Sequence, residues 1–98
     1  MYKAFVRSPS KSGQRPSALS RAEYRQCIEL LAETRKKSHV SQTALARRLG
    51  KPQSWVAKCE DGSRRVDFVE FIQICEALGV DAPELLKRCR KRVRTRSE

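Results

Sequence analysis

Apolar residues recur at helical spacing through the middle of the chain, and nowhere do they alternate with polar ones as a half-buried strand would require. Ser20 with Glu23 reads as a capping box, after which Tyr24, Cys27, Ile28 and Leu31 mark one face of a first helix running to about Lys37. Ser41 suits an N-cap, Leu45, Ala46 and Leu49 form the inner face of a short second helix, and Gly50 suits its left-handed stop. After the turn at Lys51 and Pro52, a third helix is expected from Gln53 to about Asp61, with Val56 and Cys59 inward and Gly62 beyond it. Asp67 and Glu70 repeat the capping-box signal and open a fourth helix, with Phe68, Phe71, Ile72, Cys75 and Leu78 on one stripe and Gly79 at its end. Asp81, Pro83 and Glu84 open a fifth, which buries Leu85 and Leu86 and passes into a basic run. The expected fold is all-α.

Residues 1–19 interrupt this pattern with Ser8, Pro9, Ser10, Ser12, Gly13, Pro16 and Ser17 among scattered bases, a composition too poor in apolar surface to offset chain entropy. The reading is therefore a disordered basic arm at 1–19, one helical domain at 20–86 and a basic C-terminal extension at 87–98. With 98 residues, 39% of them apolar, the chain has room for one core and little for a catalytic pocket.

Charge sharpens this division. The net +11 favours a polyanionic partner, and its distribution is uneven. Residues 1–19 carry +4 and residues 87–98 carry +6, leaving +1 for the domain. Within the domain, Arg35 to Arg65 holds nine bases against Glu60 and Asp61, or +7, while the remainder is −6. A single basic face on a polarised domain is implied.

Other chemistry finds little support. Cys27, Cys59, Cys75 and Cys89 lack the close pairs of a zinc site or redox dithiol, and the first three fall at core-facing positions, where a free thiol behaves as a small hydrophobe. No metal and no cofactor are expected. His39 is the single histidine and reads as a turn residue; with no glycine-rich phosphate loop and no paired acids in an apolar setting, an enzyme is not expected. No apolar run approaches the length of a membrane span and no signal peptide is evident, so a reducing cytoplasm is the expected compartment.

Two short helices joined by a glycine-containing turn form a unit that can present its second helix to the major groove. The run from Ser41 to Gly50, followed by Gln53-Ser54-Trp55-Val56-Ala57-Lys58-Cys59-Glu60-Asp61-Gly62, resembles the phage-repressor family of Cro-like or XRE-type helix-turn-helix proteins. The resemblance covers about Tyr24 to Leu86. It implies a five-helix repressor-like bundle whose third helix reads DNA, flanked here by flexible basic tails.

Carried onto matching positions, the resemblance makes Gln53, Ser54, Trp55 and Lys58 base-reading candidates, since Gln pairs with adenine and Lys with guanine. It makes Gln42 a phosphate clamp and places Ser63, Arg64 and Arg65 in a phosphate-contacting loop; Arg47 and Lys51 join them as candidate phosphate contacts. Arg35 and Glu60 match a structural clamp between helices one and three, which explains an acid on a DNA-facing element. The sequence departs from the family at His39, where Gly is usual, and at Cys59, where an aliphatic residue is usual.

Blander readings stand beside these. Gln53, Ser54 and Lys58 also suit a merely solvated helix face, and Trp55 suits surface packing best, ahead of contact with sugar and thymine methyl or with a partner. The C-terminal basic run suits either a solvated tail or nonspecific phosphate contact. The expected function is a transcriptional regulator, a repressor binding a near-palindromic operator as a homodimer, nucleoid-associated in a prokaryote or phage-infected cell. The alternative is an antitoxin or antiactivator that binds a protein partner, a toxin or a regulator, and controls its own operon.

Overall fold

A computed structural model describes residues 17–97, with side chains described for residues 21–94. Five helices follow in order: α1 (Ser17–Lys37), α2 (Gln42–Leu49), α3 (Gln53–Glu60), α4 (Phe68–Leu78) and α5 (Ala82–Ser97). The described residues contain no strand. The arm expected at 1–19 lies outside the described residues except for its last three, which are already helical.

The local signals at the middle helices act as the sequence suggests. Ser41 Oγ accepts from the Ala44 N–H at 3.0 Å, and Gly50 stops α2 at φ 70°. Asp67 and Glu70 close a reciprocal capping box at the start of α4, and Gly79 ends it at φ 73°. His39 takes the left-handed conformation at φ 60° in the turn after α1, a role for which short polar or imidazole side chains are better suited than most.

α1 packs against α5 and α3, α2 against α3 and α4, and α4 against α5. Ile28, Leu30, Leu31, Leu45, Ala46, Val56, Ile74, Cys75, Leu78, Leu85 and Cys89 share the core between them. Close packing of this kind fixes the angle at which α3 leaves the domain.

Several expectations are corrected. α1 begins at Ser17, so Ser20 lies inside the helix and not at its start; Ala18 and Leu19 are strong helix formers that favour the extension upstream. The buried face of α4 is formed by Phe71, Ile74, Cys75 and Leu78, leaving Phe68 77% and Ile72 42% exposed. Both stripes satisfy helical spacing because Glu70, Gln73 and Glu76 are the only polar residues of α4, so periodicity alone does not choose between them. Leu86 is exposed, and α5 instead buries Leu85 and Cys89 one turn apart. Cys27 is only half-buried, whereas Cys89, read from sequence as part of the extension, is core. The basic run thus continues α5, tied back to α1 by Arg92, whose guanidinium reaches Glu33 at 3.0 Å.

Candidate nucleic-acid interface

Gly50, Lys51 and Pro52 turn the chain between α2 and α3. The Lys51 N–H donates back to the Ala46 carbonyl at 2.9 Å, and Pro52 takes extended backbone at the α3 N-cap, where its missing N–H forfeits no helical bond. Val56 and Cys59 are buried, so the opposite side of α3 must face solvent; Gln53, Ser54 and Lys58 are there and exposed.

A continuous chain of polar contacts fixes this exposed edge. Arg35 is 7% exposed and uses all three guanidinium nitrogens: Nε and Nη2 donate to the Glu60 carboxylate at 2.6 and 3.0 Å, and Nη1 donates to the Val40 carbonyl at 2.8 Å. Gln42 Nε2 donates to Glu60 Oε1 at 2.9 Å, and Gln53 Nε2 donates to Gln42 Oε1 at 2.7 Å. The line therefore runs from the end of α1, through the end of α3, to the first residues of α2 and α3. It leaves Gln53 with a free carbonyl oxygen and a second N–H, the pair of groups needed to meet an adenine edge.

Arg64, expected as a phosphate contact, is also held by its neighbours. Its two terminal nitrogens meet the Glu70 carboxylate at 3.0 and 2.9 Å, Nη1 also donates to the Arg65 carbonyl at 2.8 Å, and the guanidinium lies 4.8 Å from the Trp55 ring centre. The fork holds Glu70 at a pKa of about 2, well below the usual carboxylate range, with the Asp67 N–H assisting, and raises that of Arg64. Lys51 Nζ lies 5.3 Å from the same indole, which is half-buried against the core. Of the three readings open for Trp55, the geometry favours surface packing beneath two cations.

The remaining candidates sit on the exposed surface around α3. Arg47, Lys51, Lys58 and Arg65 are exposed, with Arg65 stacked 4.3 Å over Tyr24. The Ser63 N–H donates to Asp61 Oδ1 at 2.8 Å, and the Ser63 contacts lower the Asp61 pKa. Tyr24 OH accepts from the Val66 N–H at 2.8 Å, so one α1 side chain secures the loop after α3 and carries Arg65 on its ring. The sequence reading missed Glu70 as the partner of Arg64, the link from Gln42 to Gln53, and Arg48, whose Nη1 donates to the Ala77 carbonyl at the end of α4 at 2.7 Å. The first two depend on where separate elements meet; the third fits a general rule, since cations favour helix C-termini.

Among the described residues, no three His, Cys, Asp or Glu side chains converge as a metal site, and no helix is long and apolar enough to cross a membrane. The surface offers exposed cations around two short helices and a small set of pre-positioned amides.

The profile of a helix-turn-helix domain family matches residues 29–93. Among solved structures, the chain is similar to an XRE-family like protein from Pseudomonas syringae pv. tomato str. DC3000, with 37% identity, a TM-score of 0.73, and coverage of 76% of this chain and 92% of that one. No curated protein sequence matches the chain.

Proposed function

The chain belongs to the XRE-type family of helix-turn-helix proteins, a family of DNA-binding regulators, and on that premise we propose that it is a repressor binding a near-palindromic operator as a homodimer. Two copies of α3 enter successive major grooves about 34 Å apart. Gln53, Ser54 and Lys58 meet base edges, while Gln42, Arg47, Lys51, Ser63 and Arg65 meet phosphates. Arg64 acts as a brace for the loop after α3, since its charge is already paired with Glu70. On this reading the chain is a non-catalytic regulator that works in the cytoplasm.

The observation that carries this reading is the exposed edge of α3, where Gln53 is held by Gln42 and, through Glu60, by the buried Arg35. A solvated face has no need of that restraint, whereas base readout benefits from side chains ordered before binding. Selection from random duplexes tests it: the expected product is an enriched sequence with two-fold symmetry and half-sites one helical turn apart. Recovery of only nonspecific, salt-sensitive binding overturns it.

A further inference from the structure

A groove of ≈ 610 Å³ opens between α1, α4 and α5, with no wall contributed by α2 or α3. Its lining includes Cys27, Phe68, Ile72 and Leu86, and Asp67 is the one charged residue among the side chains that line it. Phe68 and Leu86 are 77% and 54% exposed, which leaves a cluster of bare apolar surface of the kind that marks an interaction site. The rim carries both signs: Glu70 is paired with Arg64, Glu84 with Lys87, and Arg65 lies over the Tyr24 ring, so the charge the groove itself offers is the exposed Asp67.

The chain itself contains a segment of matching chemistry. Residues 1–7 read Met-Tyr-Lys-Ala-Phe-Val-Arg, with two of the chain's six aromatic residues, two bases and no acid, glycine, proline or serine. The serines, prolines and glycine of the arm all lie later, from Ser8 onward, as a linker composition. The nine residues from Ser8 to Pro16 reach up to ~30 Å when extended. Tyr24 in the groove wall is about 10 Å along α1 from Ser17. We propose that residues 1–7 dock into the groove of their own chain, with Tyr2, Phe5 and Val6 on its apolar lining and Lys3 or Arg7 against Asp67. A second copy's corresponding face is a poorer occupant, because its lining brings no base to meet Asp67, whereas residues 1–7 carry two. The inference goes beyond the proposed function and does not depend on it.

Tethering supplies an effective concentration in the mM range, so even a ~0.1 mM site is about nine-tenths filled. Cys27 lines the groove and is half-buried, while Cys59, Cys75 and Cys89 are buried, so its alkylation reports on access. In the full chain, Phe5→Asp is expected to speed iodoacetamide modification of Cys27, read peptide by peptide in a mass spectrometer, about tenfold at every protein concentration. This substitution changes none of the core residues. Nuclear Overhauser contacts from the Phe5 ring to the Ile72 and Leu86 methyls are expected within one chain. They should be absent from a mixed-label sample that detects only contacts between copies. An unchanged Cys27 rate without such contacts overturns the proposal. Contacts seen only between copies, or protection lost on dilution, overturn it in favour of a second chain as occupant. None of these readouts involves DNA, so their failure leaves the operator reading untouched.

Discussion

At the end of α3, Arg35 and Glu60 meet with side chains 9% and 13% exposed, whereas in the loop beyond it Arg64 and Glu70 meet at 37% and 18%. Both are two-pronged forks with similar contact lengths. Their surroundings differ. Water can replace much of what Arg64 loses, while Arg35 is enclosed and has each of its three guanidinium nitrogens bonded to a protein acceptor. Removing one partner of a buried pair strands the other charge, so burial rather than bond count separates the two clamps.

The largest expected effect follows. Arg35→Ala should destabilise the fold by about 3–5 kcal/mol, seen as a fall in Tm, because Glu60 is left with a single side-chain donor in Gln42. DNA binding should fail as a consequence of unfolding or of a loosened α3. An unchanged Tm with binding abolished would break the comparison and place Arg35 at the DNA instead.

Next in size is the effect at the far end of the same chain of contacts. Gln53→Ala should lower discrimination between the preferred operator and single-base variants by about 1–3 kcal/mol while leaving Tm nearly unchanged. Gln53 is exposed, so its loss removes a reader without opening the core. A uniform loss of affinity for operator and random duplexes would instead make Gln53 a backbone contact.

These two predictions rest on residues that the sequence identified unequally. Arg35, Glu60, Gln42 and Gln53 were legible as separate candidates through the family pattern, and the two helices through Ser41, Gly50 and Gly62. Their joining into one hydrogen-bonded line was not, because it depends on the angle between α2 and α3, which the core sets. Arg64 shows the same limit from the other side: a basic residue in a loop reads as available until the fold brings Glu70 to it. The rotation of α4 had no local signal, since Phe68, Phe71, Ile72, Ile74 and Cys75 allow two apolar stripes and only the neighbouring helices select one.

The more exposed clamp predicts a smaller effect with a distinct pH signature. Glu70→Ala removes the fork to Arg64 and half of the capping box on α4, and should cost about 1–2 kcal/mol near neutral pH. Because Glu70 titrates at about 2 in the folded protein against an ordinary 4.5, its contribution is complete above 4.5 and is lost as pH falls from there towards 2. Denaturant unfolding of the wild type and variant should therefore converge across that window. A gap that stays constant down to pH 2 would assign the effect to helix packing rather than to the ionised carboxylate.

The smallest expected effect sharpens the scale from its exposed end. Arg92 meets Glu33 in a third fork, at 3.0 and 3.3 Å, with side chains 30% and 49% exposed. It lowers the Glu33 pKa and links α5 to α1, so geometry alone would rank it beside the other two. Exposure predicts otherwise. Arg92→Ala should shift stability by less than about 1 kcal/mol, and the shift should shrink further in high salt, where mobile ions screen the pair. α5 remains held to the domain by Leu85 and Cys89, both buried, whether or not the fork is present. A loss comparable to that of Arg35→Ala would show that anchoring the basic half of α5 matters as much as burial, and would overturn the ranking of the clamps by exposure.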